Sequence, residues 1–300
     1  MTIEGFEESG IELDDGVALH VRTAGSGPPV VLLHGYPQHG AMWRLVAPAL
    51  AERHRVVVPD LRGYGRSSTP PDDDEHSVYS KRTMARDVVA MMAALGHERF
   101  AVVGHDRGGR VAYRTALDHP ERVDRLCTLD IVPTIEQFEL LSSSRRAAVG
   151  GFHWYFLAVE PPLPEALIGA QPRLYLERVM ARWAGTVPGS QRITDDAMDD
   201  YVASFTPAVI ASSCADYRAG ATFDSDLDDA DRAAGRTIAC PVHALWGDRR
   251  RPELNDAFLA TWRRWVAADQ PVTGTPLPCG HFIPEELPDA CTAELLAFLA

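Results

Sequence analysis

Apolar and polar residues alternate from Ile11 to Ala24 on either side of Asp15-Gly16, a pattern that predicts two short strands joined by a tight turn. An unbroken apolar run from Pro29 to Leu33 predicts a buried strand ending at His34-Gly35. The period then lengthens. Helical spacing over Ala41–Arg53 leads to a β-branched strand at Arg55–Val58. A helix over Ser80–Leu95 follows, closed by Gly96, with a strand at Phe100–Val103 behind it. A helix from about Arg107 and a strand at Leu126–Leu129 continue the alternation. Strands and helices that alternate in this way build a mostly parallel sheet covered by helices on both faces.

The rhythm breaks between Ile131 and Phe223, where aromatic, proline-interrupted sequence such as Phe152-His153-Trp154-Tyr155-Phe156 reads as helical and inserted. Strand patterning resumes at Ile238–Trp246 and Val272–Leu277, and a last helix is expected around Ala290–Leu299. The expected organisation is therefore a core of residues 1–132 and 224–300 with a helical cap over 133–223. Asp72 to Glu75 read as a solvated loop. Asp224, Asp226 and Asp228 have the spacing of a calcium loop, but Asp229 stands where glycine is needed and Gly235 where glutamate is needed, which excludes calcium there.

Composition narrows the function classes. The 300 residues carry a formal net charge of −13, which excludes nucleic acid and anionic membrane as partners. Five scattered cysteines without CxxC spacing suggest neither a disulfide framework nor zinc. With an acidic start lacking an apolar leader run, they point to a cytoplasmic protein. Lys81 is the only lysine, read here as a compositional bias without mechanistic content. The remaining histidines show no metal-ligand spacing, so no metal and no organic cofactor is expected.

The chemistry is carried by Gly104-His105-Asp106-Arg107-Gly108-Gly109-Arg110, directly behind the Phe100–Val103 strand. Strand, glycine, any residue, nucleophile, any residue, glycine, helix is the nucleophile elbow of α/β-hydrolases, in which a strained turn lifts one side chain above the sheet. Here that side chain is Asp106. His34-Gly35 ends the strand that precedes an oxyanion loop, and Gly280-His281 follows the last strand, where the base belongs. An aspartate that displaces a leaving group from tetrahedral carbon becomes an ester. Water activated by His281 can then attack its carbonyl, while backbone N–H groups of Tyr36 and Arg107 hold the oxyanion. Arg107 and Arg110 share one face at the helix N-terminus, a placement suited to a substrate carboxylate.

Over essentially the whole chain, HGYPQ from His34, DLRGYGRSS from Asp60, GHDRGGR, LDIVPT from Leu129, FHWYF and GHF resemble the fluoroacetate dehalogenases. The resemblance implies an α/β-hydrolase fold with a mostly parallel eight-stranded sheet and an inserted helical cap. It also implies a hydrolytic dehalogenase acting on fluoroacetate and related short 2-haloacids through an aspartyl ester. Residue by residue, it makes Asp106 the nucleophile, His281 the base, Arg107 and Arg110 a carboxylate clamp, and His153, Trp154 and Tyr217 a halide cradle. Asp130 is the matching orienting acid. Asp248, after a later strand, is the alternative, and the place hydrolases most often use falls on Arg250. The resemblance further implies a homodimer.

Two other readings stay open at this level. An epoxide hydrolase would share Asp106 and His281 and would need cap tyrosines as acids, with Tyr155 and Tyr217 the candidates; a non-catalytic receptor on the same fold is the other. Arg114 is expected to make a structural contact, and Trp183 to line the pocket or pack as core.

Overall fold

The computed structural model describes residues 1–185, 193–248 and 255–300, so Arg250 lies outside the described residues. Eight strands form one sheet: β1 (Glu7–Glu12), β2 (Ala18–Ala24), β3 (Pro29–Leu33), β4 (Arg55–Pro59), β5 (Phe100–His105), β6 (Val123–Leu129), β7 (Val242–Gly247) and β8 (Val272–Leu277). Their spatial order is β1-β2-β4-β3-β5-β6-β7-β8. The pairings of β1 with β2 and of β2 with β4 are antiparallel, and the rest are parallel. This is the α/β-hydrolase fold.

The central strands are buried along nearly their whole length because helices cover both faces, and Val30 to Leu33, Val56 to Val58 and Val102-Val103 are fully enclosed. Register aligns the strand ends. Leu33 sits opposite Gly104, His105 opposite Leu129, Leu129 opposite Leu245, and Gly247 opposite Leu277. The residues that follow these strands are therefore gathered along one carboxyl edge of the sheet, where open α/β sheets bind ligands.

Between β6 and β7 the described residues are largely helical, from Thr134–Ser142 through Phe152–Leu157, Pro172–Trp183 and Pro207–Ala221 to Phe223–Ala233. Asp224 and Asp228 lie on that last helix, where they face Lys81 and Arg114. The single helix expected over Ala41–Arg53 is instead a 3₁₀ segment, Gly40–Leu45, followed by a short helix, Ala47–Ala51. Pro48 has no N–H to continue the helical ladder, which accounts for the break. Ile238 makes only an isolated bridge to Val266, so the strand expected from Ile238 begins at Val242. None of the described helices is long and apolar enough to cross a membrane.

Candidate active site

Asp106 stands between β5 and the helix Arg107–Asp118, at φ 49° and ψ −118°. That conformation is costly for a residue with a side chain, and the surrounding packing enforces it. A Cβ on Gly104 would come within 2.3 Å of Gly108 O, and one on Gly108 within 2.3 Å of His34 O. Only glycine at these two positions lets the elbow close against β3.

Asp106 is 7% exposed, and the two oxygens of its carboxylate have different neighbours. Oδ1 accepts the Tyr36 N–H at 2.9 Å, and Oδ2 lies 3.6 Å from His281 Nε2. On the other side of the imidazole, His281 Nδ1 is 2.5 Å from Asp130 Oδ2, while Asp130 Oδ1 accepts the Gly247 N–H at 3.0 Å. Asp130 also holds a positive φ, 54°. Asp248, the alternative acid, sits one strand further along. His105, inside the elbow, faces the His281 carbonyl through Nε2 at 2.8 Å. Burial works against ionisation of Asp106, but its polar surroundings, the Arg107 and Arg110 guanidiniums among them, outweigh it and hold the carboxyl below its ordinary value. The ionised carboxylate is therefore the resting form at neutral pH.

The two arginines expected to act as a pair have unlike surroundings. Arg107 is fully buried and turned onto Asp216. Its Nε donates to Oδ2 at 2.9 Å and its Nη2 to Oδ1 at 2.6 Å, and only Nη1 lacks a partner among the described residues. Lys81 Nζ also donates to Asp216, and the Tyr64 hydroxyl donates to it at 2.6 Å. Burial would raise the Asp216 carboxyl, yet Arg107 and Lys81 hold it well below the carboxylate range. Arg110 gives one N–H to Val132 O at 2.8 Å, and no ion pair of its guanidinium is found among the described residues. Burial and the neighbouring charge of Arg107 depress its pKa, so an incoming anion would relieve an unfavourable charge.

A cavity of about 360 Å³ opens onto this edge, within the usual range for a small-molecule site. Asp106, Arg110, His153, Trp154, Trp183 and His281 are among its lining residues. Arg107 and Tyr217 pack against the lining residues Trp154 and His153. The Arg107 guanidinium sits 4.2 Å from the Tyr217 ring centre, and Arg110 sits 4.4 Å from that of Trp154. The Trp154 and Tyr217 rings are 5.5 Å apart edge to face, and His153 is 5.9 Å from Tyr217. The three residues carried over as a halide cradle thus share one aromatic cluster. The Tyr217 hydroxyl has no partner among the described residues; burial, then the Asp106 charge, keeps it protonated far above its ordinary range. Trp183 packs 4.4 Å from His153 and 5.7 Å from His281. Tyr155, the other tyrosine candidate for an epoxide acid, is 42% exposed.

Sequence reasoning missed Asp216 and Lys81. Asp216 immediately precedes Tyr217 and is the single acid of the helix Pro207–Ala221, and Lys81 is the only lysine of the chain. A lone acid beside a candidate site residue was the signal available.

Comparison with known proteins places the chain in the same fold family. Residues 28–219 match the model of the α/β-hydrolase fold family. The chain is 41% identical over 298 residues to a fluoroacetate dehalogenase of Burkholderia sp., covering 99% of this chain and 95% of that protein. It is 33% identical over 291 residues to a soluble epoxide hydrolase of Corynebacterium sp. (strain C12), covering 95% of each. A solved α/β hydrolase from Nostoc sp. PCC 7120 superposes with a TM-score of 0.92 at 43% identity, covering 98% of both chains.

Proposed function

The chain belongs to the α/β-hydrolase family, and from that premise we propose that it is a hydrolytic dehalogenase of short 2-haloacids, fluoroacetate among them. The observation that carries the reading is Arg110: a buried cation lining the Asp106 cavity, with no ion pair among the described residues. A neutral epoxide has no use for that charge, whereas a carboxylate answers it. The 41% identity to a fluoroacetate dehalogenase supports the same choice.

In the first step, Asp106 Oδ2 forms a bond to the halogen-bearing carbon and the halide departs with the electron pair of the carbon–halogen bond. Oδ1, held by the Tyr36 N–H, becomes the ester carbonyl oxygen. In the second step His281 Nε2 takes a proton from water, and the resulting hydroxide adds to the ester carbonyl. Collapse breaks the acyl C–O bond and releases the 2-hydroxy acid, whose alkoxide takes up the proton held by His281; the water's other proton, left on the Asp106 carboxyl, then passes to solvent by way of His281 and restores the carboxylate. Asp130 fixes the imidazole so that Nε2 faces the ester. Fluoride needs strong hydrogen-bond donors to leave, and Tyr217, protonated and unpartnered, supports such a role beside His153 and Trp154.

Epoxide hydrolysis is the second reading, favoured by the 33% identity to a soluble epoxide hydrolase. The exposure of Tyr155 weighs against it, since that residue was the second tyrosine acid the reading called on. Ion-selective measurement of fluoride and chloride release from fluoroacetate and chloroacetate, run beside diol formation from styrene oxide, tests the choice. Halide release at enzymatic rates is expected; diol formation without halide release would reverse it.

A further inference from the structure

One buried carboxylate fastens the loop that carries His281 on both sides. Glu286, at the end of the short helix Ile283–Glu286, accepts the Gly280 N–H at 2.8 Å and the Phe282 N–H at 2.8 Å, from the two neighbours of His281. It also accepts the Gly185 N–H at 2.7 Å, from the chain just beyond the inserted helix Pro172–Trp183. The N–H of His281 itself goes to Trp183 O, 3.0 Å away. Glu286 is 1% exposed, which shields its carboxylate from solvent.

The contact is made at backbone distance. A Cβ on Gly280 would stand 2.0 Å from Gly185 N, and one on Gly185 would stand 2.4 Å from Gly280 N. On the opposite flank, a Cβ on Gly247 would meet Gly280 O at 2.1 Å, and Gly247 is the residue whose N–H holds Asp130. The base loop is thus clasped between the insertion and the strand end that steadies its orienting acid.

Three converging N–H groups require a side chain that only accepts. An ionised carboxylate does, whereas an amide must turn an NH₂ group toward at least one of them.

We infer that Glu286 is a positioning residue for His281, tying the base loop to the helical insertion so that the imidazole stays between Asp130 and Asp106. Its contribution falls on the second step. Attack of Asp106 on carbon moves no proton and does not call on His281; hydrolysis of the ester does. This inference rests on the two-step reading above.

The test compares E286Q, and E286D as the variant that keeps an acceptor-only carboxylate, with the wild type. In substrate-free protein, amide hydrogen exchange at Gly185, Gly280, His281 and Phe282 is expected to be slow in the wild type. In E286Q it is expected to be at least about tenfold faster, with the sheet amides unchanged. After rapid mixing with chloroacetate, intact mass should show Asp106 alkylated at the wild-type rate in E286Q, followed by hydrolysis slowed about 10- to 100-fold, so that the ester accumulates. E286D should recover part of the hydrolysis rate.

Exchange that is unchanged at these amides, or loosened evenly across the sheet, overturns the inference. So does a variant in which no ester builds up although His281→Asn traps one. If His281→Asn traps no ester from any haloacid, the two-step reading fails instead. The exchange pattern then decides alone whether Glu286 holds the His281 loop.

Discussion

Asp130 and His281 meet at 2.5 Å, oxygen to Nδ1, although 151 positions separate them in the chain. The carboxylate that faces His281 Nδ1 comes from the end of β6, beside the strand that leads into Asp106. The backbone explains how it reaches: Asp106 N–H bonds Leu129 O, Asp130 N–H bonds Leu245 O, and Asp248 N–H bonds Leu277 O, so each acid is pinned one strand beyond the last.

Asp130→Asn should therefore abolish most hydrolysis while leaving alkylation. The loss expected for a base held in the wrong tautomer is about 10⁴-fold in kcat. Asp248→Asn should stay within about threefold of wild type, within the scatter of a substitution off the base. Steady-state halide release and the mass of the quenched enzyme distinguish the two. Equal losses in both variants would reassign the acid.

The unlike settings of Arg107 and Arg110 predict unlike failures. Arg110→Met removes the cation without an ion pair, so the KM for haloacids should rise about 10- to 100-fold, the worth of a charged hydrogen bond, with little change in melting temperature. Arg107→Met leaves Asp216 short of its bidentate partner. Breaking a buried ion pair costs about 3–5 kcal/mol, and the melting temperature should fall accordingly. Michaelis curves and thermal unfolding check both, and the reverse pattern would refute the division.

Acid should weaken the fold well before the carboxylates protonate. His34 and His105 are fully buried, and burial lowers both to about 4. The Leu61 N–H donates to His34 Nε2 at 2.9 Å, which a protonated ring could not accept. A depressed histidine favours the folded state fully above its unfolded pKa of about 6.5, and that stability is lost as pH falls toward the folded value. Each histidine should thus cost roughly 2 kcal/mol between pH 7.5 and pH 5. Urea unfolding across that range checks it, and a flat stability would contradict it.

What the sequence disclosed and what it hid follow from the range of the interactions involved. The elbow was legible because strand, two glycines, acid and helix are local features fixed by steric needs over seven residues. His281 was legible for the same reason, as the residue behind the last strand. The neighbours of Arg107 were not, because Asp216 lies 109 positions away on a helix of the insertion. Lys81 carried no pattern at all. A single buried lysine gains meaning only from the two acids it faces, Asp216 and Asp224. Glu286 was hidden in a different way: its partners are backbone N–H groups, which leave no mark in side-chain spacing.

The central claim is that a carboxylate oxygen of Asp106 becomes the hydroxyl oxygen of the product. Single turnover of chloroacetate by excess enzyme in H₂¹⁸O measures it directly. Water enters at the ester carbonyl, so the label should appear in the Asp106 carboxylate and the glycolate hydroxyl should carry ¹⁶O. Glycolate labelled at the hydroxyl in that first turnover, with an unlabelled Asp106 peptide, would contradict the account.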